Sequence, residues 1–207
     1  MRKIDFRRNH ELFDFPVIWY GDLLQKLIEA KNVVRTKLEK SELVEALVMR
    51  VATVWDNLVR KDIMASLNRD SSCYAQALGL RLRRHLSADE CEAVLYGHRY
   101  LDFRSVGDVK HFGKQFLAPR WNPFAAITRP QARAVDDFFV IRNYVAHYSS
   151  YARRAYRAMI RRRHNFKRIP EPGPYLIAAD HRTGQYRWGT YLTVFLQCSA
   201  SMLSSVA

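Results

Sequence analysis

The segment Arg142-Asn143-Tyr144-Val145-Ala146-His147 places an Arg and a His with four residues between them and an amide side chain directly after the Arg. In metal-free RNA cleavage the ribose 2′-hydroxyl attacks the adjacent phosphorus, so one group must handle a proton near neutral pH and a cation must hold the phosphate. His147 suits the first task and Arg142 the second. Asn143 fits a role in orienting His147 or the substrate, and equally fits an Asn that simply bonds to a neighbouring helix. Spacing alone carries little. A chain with 25 Arg and 7 His should hold about 2.5 Arg–His pairs at four- to six-residue separations by chance, and this one holds three: Arg142/His147, Arg104/His111 and Arg157/His164. Requiring Asn, Asp or His after the Arg at the four-residue spacing lowers the chance expectation to about 0.1. Only the first pair meets that requirement. Arg104/His111 spans Gly107, Asp108 and Lys110 and reads as a solvated connection, while Arg157/His164 lies in a plain basic run.

The first pair also falls within a strong amphipathic pattern. At about 100° per residue, Arg142 projects among Val135, Phe138, Phe139 and Ala146, near the centre of an apolar stripe. An ionised Arg is costly there unless it is paired or lines a cavity or interface. Asn143 and His147 share the adjoining flank with Asp136 and Val140. Arg142 and His147 stand about 140° apart around one ideal helix, so joint action on one phosphate needs a reaching Arg or a second copy of the helix. This points to a site assembled across a homodimer.

Downstream, Arg153, Arg154, Arg157, Arg161, Arg162, Arg163, Lys167 and Arg168 are interleaved with Tyr151, Tyr156 and Phe166. Such a segment offers a sequence-independent phosphate track with stacking faces, or else a solvated helix face. Arg153, Arg154, Arg157, Arg161 and Arg162 are the expected phosphate contacts. From Phe138 to Pro170 there are nine Lys/Arg and no Asp or Glu, out of a formal net charge of +14 over 207 residues. The excess is mostly Arg, 25 against 9 Lys, which favours forked recognition of phosphate and makes nucleic acid the leading partner.

The elements that must position these residues are helical. Hydrophobic residues at 48% argue against disorder, and 8 Gly with 7 Pro leave little turn chemistry for a sandwich or barrel. The pattern predicts a helix over 17–38 entered at Pro16, and a long amphipathic helix from Ser41 to Leu67. A polar connection over 71–82 should lead into a further helical piece, and the Ser87/Glu90 capping box should open a short helix ending near Gly97. From His98 to Pro130 short helices and irregular connections are expected, with a helical turn near Val109–Leu117. The motif helix then runs from Gln131 to about His147. Ile169–Pro174 should break any helix, Tyr175–Ala179 could be extended, and a small hairpin or an ordered loop would fit near 175–188. A last helix covers Gly189–Ser204. The fold class is all-α, a single domain over 1–207 with a helical extension at 1–40 and a loop or hairpin insertion at 165–189.

Cys73, Cys91 and Cys198 have no metal-site spacing, which together with their odd number suggests a reduced, cytoplasmic setting. Neither a signal peptide nor a run of 18 apolar residues is present, so no membrane role is expected. Phe138 and Phe139 are most simply core or interface residues, and Asp180-His181 and the remaining histidines read as loop or surface.

Arg142-Asn143 and His147 resemble the HEPN superfamily, all-helical proteins with an R-x(4–6)-H motif that typically carries Asn, Asp or His after the Arg. The order of helices over about 41–205 is similar. One subgroup has Tyr two residues after the His; here Ser149 stands there, with Tyr148 and Tyr151 nearby. The resemblance implies a HEPN-like bundle of about five main helices and a metal-independent endoribonuclease with no cofactor, whose Arg142 and His147 work at a homodimer interface and leave a 2′,3′-cyclic phosphate. It further implies a toxin or an antiviral, abortive-infection effector, with an antitoxin or other regulatory protein as a further partner. The alternative is a catalytically inactive HEPN-like module that binds RNA, DNA or a protein. A sequence-specific DNA regulator finds no helix-turn-helix here to support it.

Overall fold

The computed structural model describes residues 3–30, 36–97, 103–180 and 183–206. Among these residues the chain is all-α, with nine α-helices: α1 Phe6–Glu29, α2 Lys37–Arg69, α3 Ser72–Leu78, α4 Ala88–Gly97, α5 Val106–Phe116, α6 Arg129–His147, α7 Ser150–Arg163, α8 Pro172–Leu176 and α9 Arg187–Ser204. Two 3₁₀ turns, Pro119–Trp121 and Pro123–Ala126, lie between α5 and α6.

Local capping sets most of the boundaries. The Ser87/Glu90 box forms as its spacing predicts, with the Ser87 amide donating to Glu90 at 2.7 Å and the Glu90 amide to Ser87 Oγ at 3.2 Å. A second box, Thr36 with Glu39, starts α2 at Lys37, four residues before the expected Ser41. The first helix also departs from expectation. It begins at Phe6, where the Asp5 carboxylate accepts the Arg7 amide at 2.9 Å, and Pro16 lies inside it. An internal proline costs about 3 kcal/mol, and the helix carries it because Phe13 and Val17 on either side are fully buried. The part of that expected helix at 31–35 lies outside the described residues, as do His98 and His181.

The chain divides into two compact units. The first comprises Met1–Asp14, Trp55–Ala132 and Gln197–Ala207. Phe13 meets Trp55 edge-on at 5.8 Å, and Phe6, Ala65 and Val206 form a cluster against which Ile4, Trp121 and Leu203 pack. Phe112 and Phe116 of α5 stack obliquely, and Phe116 reaches Tyr74 of α3. The second comprises Phe15–Val54 and Arg133–Leu196. Its core is Val17 and Leu24 of α1, Val44, Val48 and Val51 of α2, Phe138, Ile141 and Tyr144 of α6, Ile160 of α7 and Phe195 of α9. Phe138 sits edge-to-face on Phe195 at 4.9 Å, as its core assignment anticipates. Residues 1–40, read as an extension, thus supply buried side chains to both units.

Residues 175–188 hold an isolated antiparallel bridge, Ala179 with Tyr186, closed by a turn in which the Gly184 amide donates to Asp180 at 2.8 Å. Tyr175 and Leu176 are helical rather than extended, because Pro172 and Pro174 seed a short helix after Glu171.

Candidate active site and basic helix

The motif helix α6 is entered through Thr128, whose amide donates to the Gln131 side chain at 2.8 Å. Its buried stripe is Val135, Phe138, Ile141 and Tyr144, with Asp137 buried among them. The stripe is rotated from the expected one: Ala146 is exposed, and Arg142 lies on its edge, half-buried, rather than at its centre. Arg142 Nη1 donates to Asn143 Oδ1 at 3.0 Å, and its Nε is enclosed with no acceptor. The Asn143 side chain therefore bonds to Arg142 and makes no side-chain bond to His147. His147 is exposed at the last position of α6, and its side chain makes no hydrogen bond among the described residues. No bond joins Arg142 to His147 within the chain.

Directly after His147 the backbone reverses at Tyr148, a non-glycine residue with φ of 45°. The left-handed conformation costs about 1–2 kcal/mol. Tyr148 is held there by its hydroxyl, which donates to Glu45 Oε2 at 2.9 Å, and by its ring against Tyr144. The Glu45 bond and burial push the Tyr148 phenol up to about 12. Glu45 is buried, and its other oxygen accepts the Gly173 amide at 2.9 Å. Ser149 caps α7, accepting the Ala152 amide at 3.1 Å.

The predicted phosphate track is one helix, α7, and its arginines divide into two groups. Arg153 Nε donates to the Tyr144 hydroxyl at 2.9 Å and the guanidinium lies over that ring; the same hydroxyl donates to Glu171 at 2.7 Å. Arg162 donates to Asp137 Oδ1 at 2.7 Å, and Arg163 Nε donates to Asp137 Oδ2. Arg154, Arg157 and Arg161 are exposed and make no ion pair or hydrogen bond among the described residues. Their spacing of three and four sets them on one face of α7. Of the five expected contacts, Arg153 and Arg162 are thus engaged internally. Asp137 has no counterpart among the expected site residues: an ideal wheel sets Asp136 on the flank, and the rotation of the stripe brings its neighbour inside.

The other Arg/His pairs differ from one another. Arg104 and His111 are exposed, although Arg104 directly precedes the Ser105 cap of α5 and His111 lies in the middle of that helix rather than in a connection. His164 is a packing residue, stacked on Phe166 and within 3.1 Å of the Tyr175 hydroxyl.

In the first unit, His10 Nε2 meets Asp62 Oδ2 at 2.9 Å and His10 Nδ1 meets Ser199 Oγ at 2.7 Å. The Asn9 amide adds a bond to Asp62 at 3.1 Å. This Ser-His-Asp constellation has the connectivity of a nucleophilic triad, but the three residues are at most 1% exposed. No substrate reaches Ser199, and the arrangement joins α1, α2 and α9 through buried polar bonds. Separations of 52 and 189 residues left no local signal of it in the sequence.

Among the described residues no group of three or more His, Cys, Asp or Glu is placed to hold a metal ion, and no helix is long and apolar enough to cross a membrane. No protein-family model, curated protein or solved structure matches the chain.

Proposed function

We propose that the chain is a metal-independent endoribonuclease of HEPN type that acts as a homodimer, in the role of a toxin or an antiviral, abortive-infection effector. The observation that carries the reading is the exposed, unbonded imidazole of His147, followed after a two-residue reversal by a helix bearing the unpaired row Arg154, Arg157 and Arg161. His147 takes the proton of the 2′-hydroxyl or returns one to the leaving oxygen. Arg142, fixed by Asn143, holds the phosphate oxygens, from the second copy of the helix where one Arg cannot reach. Arg154, Arg157 and Arg161, spanning about 10 Å of α7, supply the electrostatic attraction for the strand. Tyr148 and Tyr151, 57% and 76% exposed beside His147, are aromatic surface of the kind that protein interfaces cover. Phe15, Ile18 and Trp19 of α1 are likewise exposed, at 72%, 50% and 50%.

The purified chain incubated with RNA in EDTA is expected to leave 2′,3′-cyclic phosphate ends, with loss of cleavage in His147→Ala and Arg142→Ala. Induced expression of the wild type, but not of His147→Ala, is expected to arrest growth. Cleavage that survives His147→Ala removes this residue from the mechanism. The Arg142–Asn143 bond, which ties the guanidinium to its own helix, favours the second reading, a binding module without turnover. Tight RNA binding with no cleavage by a protein that sedimentation shows to be dimeric selects it.

A further inference from the structure

The first unit holds a cleft of about 350 Å³ between the end of α2, the segment before α4 and the Pro119–Trp121 turn. Its size is that of a small-ligand site. Four permanent cations line it, Lys3, Arg69, Arg84 and Arg120, against one acid, Asp70. Asp70 is already fully used. One of its oxygens accepts the Ser72 amide at 2.9 Å, and the other receives both Arg84 Nε and Nη2 at 3.1 and 3.0 Å. That leaves Lys3, Arg69 and Arg120 in the cleft with no acidic partner there.

The lining is built rather than loosely exposed. Arg69 and Arg120 each lie over Trp121 at 5.1 Å, and Trp121 itself packs on the Phe6, Ala65 and Val206 cluster. Arg69 Nε is enclosed and has no hydrogen-bond partner among the described residues, an unmet donor within the guanidinium that lies over Trp121. The opposite wall is tied to Ser71, just after α2, by two hydrogen bonds: the Ser71 amide donates to Arg84 O at 2.8 Å and Ser71 Oγ to Arg83 O at 2.6 Å. His85 Nδ1 lies 2.7 Å from Arg69 O, so it carries the proton and leaves Nε2 as the acceptor of the neutral ring.

We infer that this cleft binds the phosphate group of a nucleotide or of an RNA end, with Arg69 and Arg120 as its principal ligands and Lys3 as a supporting charge. Forked guanidinium donors suit two phosphate oxygens, and a donor on the ligand such as a ribose hydroxyl can donate to His85 Nε2. The inference is independent of His147 and of the cleavage reading.

The test is calorimetric titration of the full-length chain with inorganic phosphate, AMP, adenosine, and an RNA hexamer with either a 5′-phosphate or a 5′-hydroxyl. AMP should bind and adenosine should not if the source is a free nucleotide. Preference for the 5′-phosphorylated hexamer over AMP assigns the site to RNA ends. In both cases Arg120→Gln, which alters an exposed side chain, should weaken binding at least 10-fold, and Arg69→Gln should do the same. His147→Ala should leave it unchanged. Because Arg69 is half-buried, circular dichroism of each variant accompanies the titration, and Arg120→Gln alone decides if Arg69→Gln fails to fold. Absence of binding by every phosphate-bearing probe, or binding undiminished in Arg120→Gln, overturns the inference.

Discussion

Replacing His10 by Ala tests whether the buried Ser199–His10–Asp62 chain is a structural device. The change strips Asp62 Oδ2 of its 2.9 Å partner and Ser199 Oγ of its 2.7 Å partner, and leaves the carboxylate with the Asn9 amide at 3.1 Å. With Asp62 wholly enclosed, breaking the pair costs about 3–5 kcal/mol of a total stability of about 5–15. For a chain of this length each kcal/mol lowers Tm by roughly 2–4 °C, so the loss is roughly 6–20 °C. Burial already pushes the Asp62 carboxyl up, against the His10 bond that pulls it down, and in the variant only the upward influence remains strong. The folded variant then keeps a proton that the unfolded chain releases above its ordinary value near 3.8. Its stability is full below that value and falls as pH rises through the raised folded value, by up to ~1.4 kcal/mol per unit. Urea unfolding followed by circular dichroism should therefore show a smaller penalty at pH 5 than at pH 8. Ser199→Ala should cost about 1 kcal/mol. A His10→Ala penalty below about 1 kcal/mol at pH 8, or one that does not change with pH, refutes the reasoning. Labelling of Ser199 by a fluorophosphonate probe in the native protein refutes it from another side.

Asp137→Asn should lower stability by about 1–3 kcal/mol and release Arg162, so that the slope of RNA affinity against salt steepens by about 1, measured by fluorescence anisotropy. Burial pushes the Cys91 and Cys198 thiols up to about 12, so iodoacetamide at pH 8 should modify Cys73 and spare both, as read by mass spectrometry. Gly173→Ala should destabilise by about 1–3 kcal/mol in thermal unfolding, because a Cβ there would stand 2.5 Å from Ser41 Cβ and 2.8 Å from its Cα.

Much of the fold could be read from local chemistry. The Ser87/Glu90 box, the start of α6 beside Pro130 and the final helix each rest on residues a few positions apart, and each formed where those residues place it. The errors arose where a local rule met a distant partner. Pro16 reads as a helix start until Phe13 and Val17 are seen to be buried on both sides of it. In α6 the wheel was set by the apolar residues Phe139 and Ala146, while the true inner face includes Tyr144, whose hydroxyl is satisfied by Glu171 and Arg153, and Asp137, neutralised by two arginines of α7. A polar residue enters a core when its partners do, and those partners lie 25 or more residues away for Asp137. The division of the α7 arginines into held and unheld follows from the same fact. The chain of His10, Asp62 and Ser199 was invisible for that reason too.

The reversal at Tyr148 makes the distance between His147 and the arginine row a matter of a single residue's backbone angle. Because α6 ends at His147 and α7 begins at Ser150, there is no slack in which an added or lost residue could be absorbed. One inserted alanine after Tyr148 would either displace the Ser149 cap or turn the Arg154, Arg157, Arg161 face by about 100° about its axis. The two helices are thus geared together, and their relative phase is as much a part of the candidate site as the side chains themselves.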